Sequence, residues 1–150
     1  MNQAIRVDEP IRRAAKKAVL DTAHIVKLPL GLLGFPELKE MEIVYSKAEL
    51  PFMRLRQVKE NNRLEFMIIE PNGLIDNYKI EISDQDLLFL GIEGPNDVLV
   101  LNIATIHNSM VTINLIGPII VNRKTRLAKQ VVIENHTQYS ENHVLYQGEM

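Results

Sequence analysis

The chain contains no cysteine. A disulfide framework, a thiolate nucleophile and a cysteine-ligated metal are thereby excluded, and the absence fits a reducing cytosol. Long apolar runs are also missing: none approaches the roughly 20 residues that span a bilayer. The first residues lack the charged, apolar and small-residue succession of a signal peptide. The expectation is a cytoplasmic protein with no membrane partner. Nor is there a surplus of positive charge. Lys and Arg number 17 against 19 Asp and Glu, a formal net charge of −2. General nucleic-acid binders carry a clear basic excess, so only a local basic patch is open to that role.

Catalytic signatures are equally scarce. His24, His107, His136 and His143 follow no HExxH or H-x-H spacing, and the last two stand in a polar stretch. No GxSxG elbow is present, and no glycine-rich loop opens a helix to cradle phosphate. Asp84 and Asp86 stand just behind Ser83, where stabilising a helix start explains two neighbouring carboxylates better than acid–base chemistry does. The reading is a non-enzymatic protein with no cofactor and no metal.

What is there is one domain's worth of chain, 150 residues with a 46% hydrophobic share, able to bury a single substantial core. Residues 1–22 differ in texture from the rest. Pro10 follows Asp8 and Glu9, as at a helix start, and Ile11, Ala14, Ala15, Ala18 and Val19 keep helical spacing opposite Arg12, Arg13, Lys16 and Lys17. This predicts a basic arm or short helix burying little area. From residue 24 the pattern turns β-like. Strands are predicted over 24–28, 41–45, 52–58, 64–69, 78–82, 98–107, 111–116, 119–121 and 127–133, with turn signals at Asn61-Asn62, Pro71-Asn72-Gly73 and Asn108-Ser109. One helix is predicted between Ser83 as N-cap and Gly91 as C-cap, with Leu87, Leu88 and Leu90 on its buried side. Residues after 134 read as a polar tail that frays. The expected architecture is a mainly β, small antiparallel barrel or sandwich with one short helix over about 83–91. Its parts are an arm at 1–22, a β domain at 23–135 and a tail at 136–150.

Binding is the chemistry left. Glu70, Asp76, Glu81, Asp84, Asp86, Glu93 and Asp97 make the middle third negative, with Lys79 the only cation among them. The turn after the apolar block at 116–122 carries Arg123, Lys124, Arg126 and Lys129. A charge-segregated β scaffold suits a protein–protein adaptor; charges that merely keep the chain soluble fit the composition equally well. Asn122, Arg123, Lys124, Thr125 and Arg126 are either a partner-docking loop or a plain hairpin tip. Direct RNA binding through the 123–129 turn is the alternative. It is weakened because only Tyr139 and Tyr146 follow the patch, leaving no stacking platform beside it.

Several blocks together resemble a known family. LPLGLLGFPEL at 28–38, the Pro51-Phe52 opening, Ile69-Glu70-Pro71, ISDQDLLFLGIEGP at 82–95 and NLIGPIIVN at 114–122 followed by Arg-Lys-Thr-Arg are similar, in order and spacing over about 24–135, to the flagellar assembly factor FliW family. The resemblance implies a small β-barrel-like fold without cofactor. It implies a cytoplasmic chaperone and translation regulator that binds flagellin and binds the translational repressor CsrA, antagonising repression of flagellin mRNA. A structural adaptor without a translational role is the further alternative. Leu32, Leu33 and Phe35, beside Leu30, are candidates to line a groove for amphipathic helices. Glu70, Asp84 and Asp86 are candidates for docking beside a basic RNA-binding surface, where like charge disfavours phosphate approach. Two departures stand out: residues 1–22 look helical where the family opens with a strand, and Leu30 stands where the family commonly has an acidic residue.

Overall fold

The computed structural model describes residues 24–58 and 64–147. The basic arm expected over 1–22 and the Asn61-Asn62 turn lie outside the described residues. Among the described residues there are nine strands: β1 (Ile25–Lys27), β2 (Glu40–Val44), β3 (Met53–Gln57), β4 (Glu65–Ile69), β5 (Val98–His107), β6 (Met110–Ile113), β7 (Ile119–Asn122), β8 (Ala128–Gln130) and β9 (His143–Gln147). They join antiparallel in the order β1-β2-β3-β4-β5-β6-β9, while β7 branches from β5 and carries β8. The mainly β, barrel- or sandwich-like architecture read from the sequence is the one observed.

The branch at β5 shapes the molecule. Its first half pairs with β7, from Val98 opposite Asn122 to Leu101 opposite Ile119. Its second half pairs with β6, from Ala104 opposite Ile113 to His107 opposite Met110. One ten-residue strand therefore serves two walls. A parallel bridge from Lys27 to Leu127, with the Lys27 N–H donating to the Arg126 carbonyl at 2.9 Å, brings β1 to the start of β8. Inside this nearly closed ring lie Val26, Leu28, Met41, Leu55, Ile68, Leu99, Leu101, Ile119 and Val121, all fully buried.

Period two explains the rest of the packing. Val98 and Val100 point away from the ring interior and join a second cluster with Leu90, Ile120, Val131 and Ile133. Strand β7 is thus buried on both faces, and so it reads as unbroken apolar sequence rather than as an alternation. The helix α1 (Asp84–Leu90) covers that outer cluster through Leu90. Its caps are those the sequence announces: Ser83 Oγ accepts from the Asp86 N–H at 3.1 Å, and Gly91 takes a left-handed φ of 68°.

Three expectations are corrected. Residues 78–82 run extended but form no strand; in place of a neighbouring ladder, the side chains of Asn135 and Tyr139 and the Glu134 N–H meet the backbone of Lys79 and Glu81. The supposedly frayed end holds β9, paired with β6 from Ile113 opposite His143 to Met110 opposite Gln147. On α1, Leu88 is not buried but 83% exposed. Four consecutive apolar residues, Leu87 to Leu90, hide the helix phase, and the side that docks carries Asp86 and Leu90.

Candidate partner-binding surfaces

The turn after β7 is built from the inside. Asn122 is 2% exposed, and its Nδ2 donates to the carbonyls of Leu90 at 2.8 Å and Gly91 at 3.2 Å. Its Oδ1 accepts from the N–H groups of Lys124 at 2.9 Å and Thr125 at 3.3 Å. One side chain thereby closes the turn and satisfies carbonyls at the C-terminus of α1, which otherwise lack intrahelical partners. Arg126 completes the turn in the left-handed region at φ 70°. Asn122 is therefore a fixing residue that no partner can reach.

The cations of this turn face the acidic segment instead of standing apart from it. Lys124 Nζ lies 3.3 Å from Asp97 Oδ1, and Lys129 Nζ pairs with Asp86 Oδ1 while sitting 5.5 Å from the centre of the Phe89 ring. Arg123 Nε donates to the Val98 carbonyl at 3.0 Å. Burial, with the neighbouring Arg123 charge adding to it, lowers the pKa of Arg126. The Asp97 carboxylate is held below its ordinary range, first by the Glu93 N–H that donates to it at 3.1 Å. The turn is thus a cross-braced element, with Lys124 and Thr125 its exposed members. Carboxylates meet two of the four cations, Lys124 and Lys129, and Arg123 is held by a carbonyl, so the patch is weakened as a free cationic surface for RNA.

The three acidic candidates separate. Glu70 is 9% exposed at the end of β4, facing a small hollow with Leu50, Pro51 and Met53. Asp86 is buried against Lys129. Only Asp84 stands in solvent, at the start of α1. What the sequence did not single out is Leu88, the most exposed large apolar side chain among the described residues, on the same helix as Asp84 and with Glu81 and Glu93 exposed on the flanking segments.

The greasy loop at 28–38 makes the second surface. Leu32 and Phe35 exchange backbone hydrogen bonds of 3.0 and 2.8 Å across Leu33-Gly34, forming a miniature hairpin. Gly31, at φ 70°, brings its backbone so near Phe35 and Pro36 that a Cβ would meet the Phe35 oxygen at 2.5 Å. Leu32 turns inward, is 3% exposed and packs in the core, while also bordering the hollow described below. Leu33 projects outward at 58% exposure, and Leu30 at 55%. The Leu33 N–H donates to Gln130 Oε1 at 2.9 Å, and the buried Gln130 holds the Gly117 carbonyl through Nε2 at 3.0 Å. Phe35 packs edge-on against Phe66 with centroids 5.4 Å apart. Between Leu33, Phe35, Phe66, Ile116 and Val132 opens a hollow of about 320 Å³. An apolar side chain with a fixed base beside such a hollow is what a helix-in-groove contact requires.

Among the described residues no group of three His, Asp or Glu side chains is placed to hold a metal ion, and no helix is long and apolar enough to cross a membrane.

Comparison with known proteins adds a family. The model of the FliW protein family matches residues 12–145. The chain is 39% identical over 123 residues to the flagellar assembly factor FliW of Leptospira biflexa serovar Patoc, covering 79% of this chain and 80% of that protein. It is 34% identical over 124 residues to its counterpart in Clostridium novyi, covering 81% and 85%, and 37% identical over 125 residues to that of Oceanobacillus iheyensis, covering 81% and 82%. A crystal structure of a flagellar assembly factor FliW superposes with a TM-score of 0.74 at 33% identity, over 86% of this chain and 90% of that one.

Proposed function

The chain belongs to the FliW family of flagellar assembly factors, and from that premise we propose that it works in the cytoplasm by holding flagellin before export and by capturing the repressor CsrA, relieving repression of flagellin mRNA. The observation that carries the first part is Leu33: more than half exposed, yet held at its backbone by Gln130 beside a hollow with Phe35, Phe66, Ile116 and Val132 on its wall and Asn114 and Glu141 among its polar members. An amphipathic helix of flagellin can seat one apolar residue there and cover Leu30 and Val132 with its neighbours.

The second part rests on α1. A basic RNA-binding protein would meet exposed Asp84 one turn before exposed Leu88 on α1, with Glu81 and Glu93 exposed on the segments either side. Carboxylates brought beside the repressor's RNA surface repel phosphate without occupying it. The two surfaces share no residue.

Titrating purified flagellin and purified CsrA, singly and together, tests the proposal. Leu33→Asp is expected to abolish flagellin binding while CsrA binding persists. Binding of neither partner by the unaltered protein would refute it, and equal loss of both in Leu33→Asp would refute the assignment of surfaces.

A further inference from the structure

Residues 78–82 run extended, after Asn77 at a left-handed φ of 58°, with one main-chain edge occupied and the other open. On the occupied side Asn135 Oδ1 accepts from the Glu81 N–H at 3.0 Å and Asn135 Nδ2 donates to the Lys79 carbonyl at 2.7 Å. The Tyr139 hydroxyl accepts from the Lys79 N–H at 2.8 Å and donates to the Asn77 carbonyl at 3.0 Å, and the Glu134 N–H donates to the Glu81 carbonyl at 2.7 Å. In extended backbone, successive residues turn their polar groups to opposite sides. With 79 and 81 turned toward 134–139, Ile80 and Ile82 turn theirs away, and among the described residues nothing meets them.

The opposite wall is open for a related reason. The Arg123 N–H donates to the Asp97 carbonyl at 2.8 Å, so residues 97, 99 and 101 face β7 while Val100 and Asn102 face the other way. Asn102 meets Ile69 of β4. Two residues further along, the position opposite Val100 falls to Pro71, which has no N–H and whose carbonyl already accepts from Leu74 and Ile75 at 2.9 Å each. The polar backbone of Val100 is left facing the same space, next to the Val98 carbonyl that Arg123 Nε already holds at 3.0 Å. That space is a groove of about 910 Å³ between Ile80, Ile82, Val98 and Val100, with Lys79 and Arg123 on its rim.

We propose that this groove takes up an extended segment of a partner protein as an added strand, one that alternates apolar with acidic residues. The open backbone of Ile80 and Ile82, faced by that of Val100, selects an extended chain over a helix, because only an extended chain offers main-chain donors and acceptors along its length. The apolar floor selects every second side chain. Lys79 and Arg123 select acidic residues between them, as a basic segment would meet like charge. The site is separate from the Leu33 hollow and does not depend on the partners assigned above.

The test uses the whole chain and a synthetic peptide, acetyl-Asp-Val-Asp-Val-Thr-Val-Asp-amide, with a counterpart in which each Asp is Lys. Amide hydrogen exchange is followed at Ile80, Ile82 and Val100. Free protein should exchange quickly at these positions, and the acidic peptide should slow all three. Its affinity should fall about tenfold in Lys79→Glu, where the exposed charge is reversed. Ile80→Pro removes an N–H that bonds to nothing and should prevent strand addition; should that variant melt early, Lys79→Glu and the Lys peptide still decide the matter. Slow exchange at Ile80 and Ile82 in the free chain would mean that another part of the same chain fills the groove, overturning the proposal. Unchanged exchange at saturating peptide, or equal affinity for the two peptides, would overturn it as well.

Discussion

The Asn122 side chain reaches 2.8 Å from its Nδ2 to the carbonyl of Leu90, tying the turn after β7 to the last residue of α1. Because the same amide receives the N–H groups of Lys124 and Thr125, the helix and the turn are positioned by one buried group. A hydrophobic neighbour cannot replace it, since two carbonyls and two amides need partners there.

Asn122→Ala is accordingly expected to lower stability by about 2–3 kcal/mol, the cost of leaving buried polar groups unmet. Asn122→Asp should do no better, as it sets a carboxylate oxygen against the carbonyls of Leu90 and Gly91. Urea denaturation of the two variants checks this. A change under about 0.5 kcal/mol, the range of ordinary surface substitutions, would contradict the fixing role.

Arg123 and Lys124, which the sequence groups as one basic element, should behave differently. Arg123 donates a charged hydrogen bond to the Val98 carbonyl from a half-buried position. Its replacement by Ala should cost about 1.5 kcal/mol. Lys124 has a side chain 70% exposed, and its pairing with Asp97 is of the surface kind. Lys124→Ala should change stability by less than about 0.5 kcal/mol. Thermal melts of both variants at low and high salt separate the two cases, since only the Lys124 pair is readily screened.

Tyr78 supplies a pH signature. Its hydroxyl donates to the Leu115 carbonyl at 2.6 Å and accepts from Asn102 Nδ2 at 3.0 Å, and burial pushes its pKa up from 10.0 to about 12. The fold therefore favours the neutral phenol. That contribution is whole below pH 10 and is lost as pH rises toward about 12, because the unfolded chain ionises first. Melting temperatures between pH 8 and 11 should fall more steeply in the unaltered protein than in Tyr78→Phe, although the variant starts lower for want of two hydrogen bonds. Parallel curves would contradict this assignment.

The parts of this fold legible in the sequence are those set by local signals. Ser83 and Gly91 mark the ends of α1 because capping needs only neighbours in the chain. The long β5 reads directly from its apolar run. What escaped depends on distant residues. The alternation at 78–82 is that of a strand, but Asn135 and Tyr139 take the place of a neighbouring strand on one edge. The last strand, β9, has only Val144 and Leu145 as aliphatic residues and gains its identity from β6. Likewise Asp86 and Lys129, 43 residues apart, look like opposite charged regions until the fold pairs them.

Leu88 offers the sharpest separation of binding from folding. At 83% exposure it contributes almost no buried area in the free protein, so Leu88→Ser should leave the melting curve unchanged within about 0.5 kcal/mol. If the acidic face of α1 is where a basic partner docks, the same substitution removes the apolar centre of that contact. An anchor of this kind is worth about 2 kcal/mol or more, roughly a thirtyfold loss of affinity. Phe89 provides the contrast: it is 40% exposed beneath the Lys129 ammonium, so Phe89→Ala should weaken both stability and binding. Titration calorimetry with CsrA against each variant reads the difference. Unchanged affinity in Leu88→Ser would move the docking site off this helix, whereas lost affinity with intact stability would place Leu88 at its centre.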